Sequence, residues 1–444
     1  MVSNGQKNEN IALTLVKFCT PLILTGILQQ LYNWADAFIV GNVIGEKALA
    51  AVGAVSSVSN FYIMAITGFT TGIAILIAQK FGSGETEQVS RILSTFVIVL
   101  GAAVTIISVV AFFAAKPLLT VMDTPSDIFD WSKTYLQIIT IGVPFLAMYN
   151  LYAATLRSVG DSRAPFFAVL VSSAVNVILD IIFVALFNWG VAGAAFATII
   201  AQASMTVFII IYGIRKHEII RFKTNSTMFH RDCVGKSLSF GTPPMLQSCI
   251  NSFGNMILQG FMNGFGTATV AAVTTAYRVD CIALLPVINL GSGISTLVAQ
   301  SYGAKNTKRA KKVFTTGVLI MIPIALTLTF VVVLFGGKMI EIFGAGEEVV
   351  AIGTNFFRSL AKFYVIYGLA MACRGYIEGL GEVVYSSIIG VSALGIRIIC
   401  SYLLKGVFDN MVIAYAEGIS WAVLLMLFVL RIAIKNRKTQ NILQ

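Results

Sequence analysis

Four oxygen-bearing side chains in the first half of the sequence could together bind a cation. They are Asp36, Asn176, Asp180 and Thr198, and each lies in a stretch of mostly apolar residues. Asn176 and Asp180 are four residues apart, so a helix would place both on one face. Carboxylate, amide and hydroxyl oxygens suit a hard cation such as Na⁺. The same carboxylates, desolvated and facing each other, could carry protons instead.

The composition indicates which elements must hold these residues. Of the 444 residues, 57% are hydrophobic and 11% are charged, and the mean hydropathy is +0.85. Soluble domains carry about 25% charged residues, and a soluble chain has too little interior to bury so much apolar surface. Backbone groups in lipid must bond within their own segment, and no alternating pattern indicates a barrel. The sequence therefore predicts an all-α integral membrane protein.

Charge-poor stretches long enough to cross a bilayer occur twelve times. The twelve predicted spans lie near 14–41, 47–80, 91–115, 129–153, 164–187, 190–214, 237–263, 268–300, 312–336, 348–373, 383–405 and 411–434. The polar N-terminus does not resemble a signal peptide, because no short apolar core precedes a small-residue cleavage site. The first apolar segment is therefore expected to remain as a span.

Lysine and arginine predict the orientation of these spans. With the N-terminus inside, the inside loops hold basic runs at 215–236 and 305–312, whereas the outside loops hold only scattered lysines. Both termini are therefore predicted to be cytoplasmic. The net charge of +11 then reflects topology, so lipid headgroups rather than nucleic acid are the expected partners of the loops. We expect a monomeric multi-pass protein of a plasma membrane, the inner membrane of a prokaryote, with no disulfide or structural metal.

The chain contains an internal repeat. Residues 77–85, IAQKFGSGE, resemble residues 298–306, VAQSYGAKN, at an offset of 221 that also relates Gly45 to Gly266. Each copy of about 220 residues holds six predicted spans, so both copies have the same orientation, with a pseudo-twofold axis along the membrane normal. The predicted organisation is an N-lobe at 1–214, a cytoplasmic linker at 215–236 and a C-lobe at 237–444.

The four oxygen-bearing residues are predicted to lie at one depth. An acidic side chain in mid-bilayer costs about 2.5–3.5 kcal/mol, so it needs a partner or a wet cavity. Counted from the predicted span ends, all four lie roughly 8–12 Å below the outer edge. A hydrogen-bond network that only locks the lobe is the alternative. The repeat weakens that alternative, because the equivalent C-lobe residues are Leu258, Arg397, Ser401 and Ile419.

Other charged residues in the predicted spans have less definite roles. Arg397 and Glu417 are predicted to form a structural pair, with a substrate role as the alternative. The sequence predicts no role for Arg278 and Asp280 in span 8. A further basic pair, Arg358 and Lys362, is one turn apart in span 10 and either lines a cleft or extends towards the membrane surface.

A proline in span 1 could bend the helix that carries Asp36. Pro21 removes one helix hydrogen bond and so permits a kink. Pro243 occupies the equivalent place in the second copy, so a simple span-entry proline is the alternative.

Taken together, these features resemble the MATE family, the multidrug and toxic compound extrusion transporters. The resemblance covers nearly the whole chain: twelve spans in a 6+6 repeat, QQLYNWADAFIVG at 29–41, the paired AQ-x-F/Y-G span ends, and RSVGDSRAP at 157–165. It implies an antiporter that exports organic cations, drugs and other amphipathic compounds in exchange for Na⁺ or H⁺. No cofactor is implied beyond the coupling ion.

The resemblance also implies roles for individual residues. In one prokaryotic branch, the coupling site matches Asp36, Asn176, Asp180 and Thr198, and a proline equivalent to Pro21 is implicated in bending. Another branch has acidic residues in spans 7 and 10, which this sequence lacks, so the resemblance does not imply a C-lobe cation site. Residues expected to contact substrate are Gln29, Gln30, Tyr32, Asn33 and Tyr149.

Two other classes of function are the alternatives to such a transporter. A flippase for lipid-linked precursors would favour a strongly cationic cleft, which the N-lobe carboxylates argue against. A membrane enzyme is not expected, because the sequence has no HExxH, GxSxG or Walker motif and both histidines lie in the linker. The sequence does not choose between Na⁺ and H⁺.

Overall fold

The computed structural model describes residues 10–221, 229–344 and 346–443, and these residues are almost entirely helical. The α-helices are α1 (Ile11–Ile39), α2 (Glu46–Gly82), α3 (Thr86–Val121), α4 (Phe129–Ser158), α5 (Arg163–Asp180), α6 (Gly190–Lys216), α7 (Arg231–Asn263), α8 (Thr267–Ala283), α9 (Leu285–Gly303), α10 (Thr307–Glu341), α11 (Glu347–Leu360), α12 (Tyr364–Gly379), α13 (Val383–Leu403), α14 (Lys405–Phe408) and α15 (Val412–Leu443). Two π-helical turns, Val40–Ile44 and Ile181–Leu186, directly follow α1 and α5. Residues 222–228 of the predicted linker lie outside the described residues.

The predicted all-helical membrane architecture is confirmed. Ten helical segments in the described part of the chain are long and apolar enough to span a membrane, and the pair α8 and α9 makes an eleventh. The remaining predicted span, the seventh at 237–263, corresponds to α7, which is long enough at 33 residues. Its apolar surface is diluted by polar residues such as Gln247, Asn251 and Asn255, so composition alone does not identify it as a span.

Span 8, predicted at 268–300, consists of two helices. The helix breaks after Ala283, and α8 and α9 meet at an angle of 43°. Pro286 in the first turn of α9 accounts for the break. A proline ring cannot donate the hydrogen bond of a continuous helix and clashes with the preceding turn, whereas at a helix start neither cost arises.

The described helices form two compact units. The N-terminal unit comprises Leu24–Phe81 and Glu85–Gly241, and the C-terminal unit comprises Met1–Ile23, Gly82–Gly84 and Thr242–Gln444. Helices α1 and α7 therefore each begin in one unit and end in the other. The lobe boundaries predicted from the repeat, at 214 and 237, do not follow this division and stay a prediction.

Glycines allow the beginnings of α1 and α7 to pack closely in these units. In the N-terminal unit, a Cβ added at Gly72 of α2 would lie 1.9 Å from the backbone oxygen of Phe240. In the C-terminal unit, a Cβ at Gly293 would lie 2.4 Å from the Cys19 sulfur. Gly72 and Gly293 are equivalent in the repeat. The two copies therefore use the same small residue for the same helix crossing.

Candidate functional site

The ends of α1 and α5 and the beginning of α6 form the candidate site in the N-terminal unit. Asp36 lies one turn before the first π-helical turn, and Asp180 is the last residue of α5, directly before the second. The two π-helical turns pack against each other and against α6, which carries Thr198. A π-helical turn holds an extra residue, and such turns are frequent at functional sites. The packing brings the three helices together where their oxygen ligands lie.

Apolar packing closes one side of this site. Val40 and Val184, one from each π-helical turn, belong to a single buried apolar cluster with Ala194 of α6. Gly193 lets α6 approach, because an added Cβ there would lie 3.1 Å from the Phe183 backbone oxygen and 3.0 Å from the Trp189 Cβ. Polar groups next to this cluster are therefore held in fixed positions and shielded from solvent on that side.

The two carboxylates lie next to each other without a donor between them. Asp36 and Asp180 interact directly, and Asp180 and Asn176 are fully buried. Within the described residues, both oxygens of Asp180, one oxygen of Asp36 and both amide atoms of Asn176 lack a hydrogen-bond partner. Buried polar groups are normally hydrogen-bonded, and two buried like charges repel. A shared proton or a bound cation would satisfy this arrangement.

Hydroxyl groups extend the oxygen cluster. Thr198 donates a hydrogen bond to the Ala194 backbone oxygen at 3.0 Å, so towards other groups its hydroxyl oxygen acts as an acceptor or ligand. Tyr32 of α1 and Tyr135 of α4 both lie beside the Thr198 hydroxyl and within electrostatic range of Asp36. The sequence prediction missed Tyr135. The depth count could have found it, because Tyr135 lies six residues, about 9 Å, along α4.

The residues predicted to contact substrate occupy different environments. Gln29 and Asn33 are exposed and four residues apart on α1, so they share a face, and Gln30 is half-buried. Tyr32 joins the oxygen cluster. Tyr149 is only 5% exposed and lies near Arg157, so it would need a movement to reach a substrate.

In the C-terminal unit, the equivalent region holds an internally paired cluster. The Arg397 guanidinium donates hydrogen bonds to the Tyr277 hydroxyl at 2.7 Å and to the Glu417 carboxylate at 3.0 Å. Tyr277 in turn donates to Glu417 at 2.9 Å. A cavity of about 340 Å³ is lined by these three residues and by Leu258 and Ser401. The structural role predicted for the Arg397–Glu417 pair stays a prediction.

The remaining unassigned charges divide into buried and exposed ones. Asp280 is buried, and its carboxylate accepts a hydrogen bond from the Tyr364 hydroxyl. Arg278, Arg358 and Lys362 are all exposed. Asp280 therefore belongs to the interior of the C-terminal unit, whereas the three basic residues lie on its surface.

An acidic residue fixes the end of the last helix of the repeat in the N-terminal unit. Asp161 follows Gly160, whose φ is +97°, and it contacts Lys216 at 3.0 Å and His217 at 2.9 Å. Burial raises the pKa of Asp161. The hydrogen bonds from His217, Lys216 and the Ala164 backbone and the charge of Lys216 outweigh burial and hold that pKa well below its usual range.

The C-terminal unit repeats this contact. Glu382 is equivalent to Asp161, follows Gly381 with a φ of +88°, and contacts Arg431 at 2.7 Å and Lys435 at 3.0 Å. Burial raises the pKa of Glu382, but the hydrogen bonds and charges of Arg431 and Lys435 lower it overall. Both copies therefore tie the end of their last helix to the turn after their fourth span.

Comparisons with known proteins agree with the repeat and the fold. The family model MatE matches residues 21–182 and again residues 243–403. The chain is similar to the probable multidrug resistance protein YpnP of Bacillus subtilis, with 27% identity over 84% of this chain and 83% of that protein. It is 20% identical to the multidrug export protein MepA of Staphylococcus saprophyticus over 93% of this chain and 90% of that protein.

A solved structure shares the fold. It is an outward-facing multidrug resistance MATE family transporter of the MOP superfamily, with a TM-score of 0.90 and 21% identity over 97% of each chain. The two-lobe helical architecture predicted from the sequence is therefore confirmed. Because the family model matches both copies of the repeat and most of the chain, the protein belongs to the MATE family of transporters.

Proposed function

We propose that this protein is an antiporter that exports organic cations, drugs and other amphipathic compounds in exchange for Na⁺ or H⁺. MATE proteins are transporters rather than enzymes, and they need no cofactor. The relatives carry names of multidrug resistance and export proteins, which supports this substrate class. These names do not favour the flippase alternative.

One observation carries the cation coupling. Asp36 and Asp180 are adjacent carboxylates, and their buried oxygens find no donor among the described residues. Charge in such a place is expensive unless it is paired. Binding of a cation or a proton from one side of the membrane is therefore favourable at this site. Asn176 and Thr198 supply the further neutral oxygens that a desolvated Na⁺ requires.

Binding at this site can drive export only if the two transport states bind the cation differently. In the proposed cycle, a cation from outside neutralises Asp36 and Asp180 in the outward-open state. The outer part of α1 then bends, with Pro21 permitting the bend, and the cationic substrate leaves. Each charge moved inwards across the membrane contributes about 2.3 kcal/mol per 100 mV, in addition to the ion gradient.

Transport in reconstituted vesicles tests this function and identifies the ion. Purified protein in proteoliposomes is given a fluorescent organic cation under an imposed Na⁺ gradient or an imposed pH gradient. We expect one of the two gradients to drive transport. Asp36→Asn removes the charge that recruits the cation, so gradient-driven transport should fall at least about tenfold, as the loss of one charge-assisted contact implies.

A matched charge change elsewhere controls for unspecific effects. Asp130→Asn neutralises an exposed carboxylate in the first turn of α4 and should leave transport unchanged. Thermal unfolding in detergent checks that both variants fold. Full gradient-driven transport by a folded Asp36→Asn protein would contradict the proposal.

The exposed face of α1 that carries Gln29 and Asn33 is proposed to contact substrate, together with Gln30 and Tyr32. Its polar groups can accept and donate hydrogen bonds to an amphipathic compound without fixing its charge. Tyr149 would join only after a movement of α4. We further propose a monomer in a plasma membrane. Both termini are proposed to lie in the cytoplasm, because lysine and arginine are concentrated in the loops predicted on that side.

A further inference from the structure

A groove on the C-terminal unit that carries an arginine has no part in the cation site. It lies along one face of α8 and has a volume of about 560 Å³. Its lining comprises Asn263 and Gly266 before that helix and Thr267, Val270, Ala271, Thr274, Thr275 and Arg278 within it. Small-molecule pockets commonly have volumes of about 300–1,000 Å³. The groove is therefore large enough for an organic molecule or for a substantial part of one.

Arg278 gives this groove a charge that the protein does not neutralise. Its side chain is exposed, and within the described residues it forms no ion pair. The nearest acid in sequence, Asp280, is buried and bonded to Tyr364. Two residues of a helix correspond to about 200° of rotation, so Asp280 points away from the face that carries Arg278.

The depth of Arg278 requires the groove to contain water. Arg278 lies about 16 Å along α8 from Thr267, close to the middle of a hydrocarbon core about 30 Å thick. A guanidinium facing acyl chains at that depth is strongly unfavourable, so such residues face water-filled cavities. Of the six α8 residues that line the groove, three are threonines and one is Arg278, which fits a hydrated surface better than a lipid-facing one.

The repeat provides an internal control for this face. The equivalent residues of α2 are Glu46, Leu49, Ala50, Gly53, Ala54 and Ser57. None of them is basic or a threonine, and the one charged residue is acidic. The fold of a six-helix copy therefore does not require an arginine or a row of threonines at this place, so a structural role explains them poorly.

We propose that this groove is a substrate-recognition site in which Arg278 binds an anionic oxygen group, above all a carboxylate. An arginine fork binds a carboxylate through two parallel hydrogen bonds, and the neighbouring threonine hydroxyls can donate further ones. The proposal rests on the export function proposed above and extends its substrate class to amphipathic zwitterions. In such a compound, the carboxylate would bind at Arg278 and leave the cationic part free for acidic or polar groups elsewhere.

A matched pair of dyes tests this inference. A rhodamine methyl ester is a monocation, and the corresponding free carboxylic acid is a zwitterion of nearly the same shape. Binding of each dye to purified protein in detergent is measured by fluorescence polarisation, and export of each is measured in proteoliposomes. In Arg278→Gln, we expect binding and export of the acid to fall at least about tenfold, while the ester changes less than about twofold.

Two further variants sharpen the result. Arg278→Lys keeps the charge without the fork, so its affinity for the acid should lie between those of the wild type and Arg278→Gln. Arg358→Gln removes an exposed arginine of α11 that does not line the groove, and it should leave both dyes unaffected.

The outcomes separate the two proposals. If Arg278→Gln leaves the ratio of acid to ester affinity unchanged, or if the wild type does not bind the acid at all, the recognition site is wrong, whatever the ester does. If Arg278→Gln selectively weakens binding of the acid, the recognition site is supported. Should the wild type then export neither dye under either gradient, the export function would be rejected while the site stands.

Discussion

The two copies of the repeat place different charges at equivalent positions. The equivalent pairs are Asp36 and Leu258, Asn176 and Arg397, and Asp180 and Ser401. In the N-terminal unit, the carboxylates lie together without a donor among the described residues. In the C-terminal unit, a guanidinium lies 3.0 Å from the carboxylate of Glu417 and is joined by the hydroxyl of Tyr277. The C-terminal copy thus contains its own cation, covalently attached.

The backbone differs at the same places. In the N-terminal unit, π-helical turns follow α1 and α5 next to the two aspartates. In the C-terminal unit, α7 ends at Asn263 in an ordinary turn, and α13 ends at Leu403 without a π-helical turn. A regular helix end accompanies the internally neutralised cluster, and an irregular one accompanies the uncompensated cluster. This difference agrees with the proposal that the N-terminal copy binds a mobile ion, whereas the C-terminal copy holds a cation of its own, Arg397.

The largest effect is expected when the arginine of the C-terminal cluster is introduced at the equivalent position of the N-terminal unit. Asn176→Arg places a guanidinium beside Asp180, as Arg397 does for the other unit. We expect export to fall to background at every cation concentration, because a permanent cation would neutralise the carboxylates in all states. Asn176→Met is the control of similar length without charge. It should still export, with cation affinity lowered about tenfold by the loss of one oxygen ligand.

Cation-dependent export by a folded Asn176→Arg protein would contradict the view that the guanidinium and the mobile ion are interchangeable. Thermal unfolding in detergent shows whether the variant folds.

Removing the carboxylate from the C-terminal cluster should affect stability more than transport. Glu417→Gln leaves the guanidinium of Arg397 in an almost buried place with only neutral partners. Breaking a buried pair in this way costs about 3–5 kcal/mol, and we expect a loss of this size in the free energy of unfolding. The double variant Arg397→Met, Glu417→Gln should recover most of it. Unfolding in mixed micelles measures all three proteins, and equal stability of the single variant and the wild type would show that the pair is not needed.

The smallest effect is expected where the two copies agree. Asp161→Asn and Glu382→Gln each weaken the contact that holds the last helix of a copy. Each should lower the free energy of unfolding by about 1–2 kcal/mol, since the partner Lys216 is half exposed and its charge is screened.

The contact of Asp161 should also depend on pH, because the pKa of Asp161 is lower in the folded than in the unfolded protein. Its contribution is therefore complete above the unfolded pKa of about 3.9 and is lost as the pH falls further. The difference between wild type and Asp161→Asn should stay constant from about pH 7 to 5 and shrink below pH 4. A difference that instead grows on acidification would reverse this sign.

Much of the fold could be predicted from the sequence because membrane spans depend on local composition. The apolar stretches and the repeat offset predicted the helices, and the match of the family model to both copies agrees with the duplication. The bend before Pro286 was not located, because the apolar stretch of span 8 continues through that proline. The beginnings of α1 and α7 belong to a different unit from the ends of these helices. This arrangement depends on long-range packing, which the order of spans does not reveal.

The sequence predicted the membrane depth of the candidate site but not all of its residues or its backbone geometry. Counting residues from the span ends placed Asp36, Asp180 and Thr198 at one level, and the structure brings these three residues together. Tyr135 was missed because tyrosine is a common core residue and carries no charge that needs explanation. The π-helical turns were not predictable, since an extra residue in a helix leaves no compositional signal.

Two of the helices that pass from one unit into the other, α1 and α7, contain proline close to the crossing point. Helix α1 passes from the C-terminal to the N-terminal unit after Ile23, two residues beyond Pro21, and α7 crosses before Thr242, next to Pro243 and Pro244. Proline removes backbone hydrogen bonds and makes a helix easier to bend. The covalent joints are therefore also the most compliant points of these helices. A bend at Pro21 would therefore change the position of Asp36 relative to the start of its own helix.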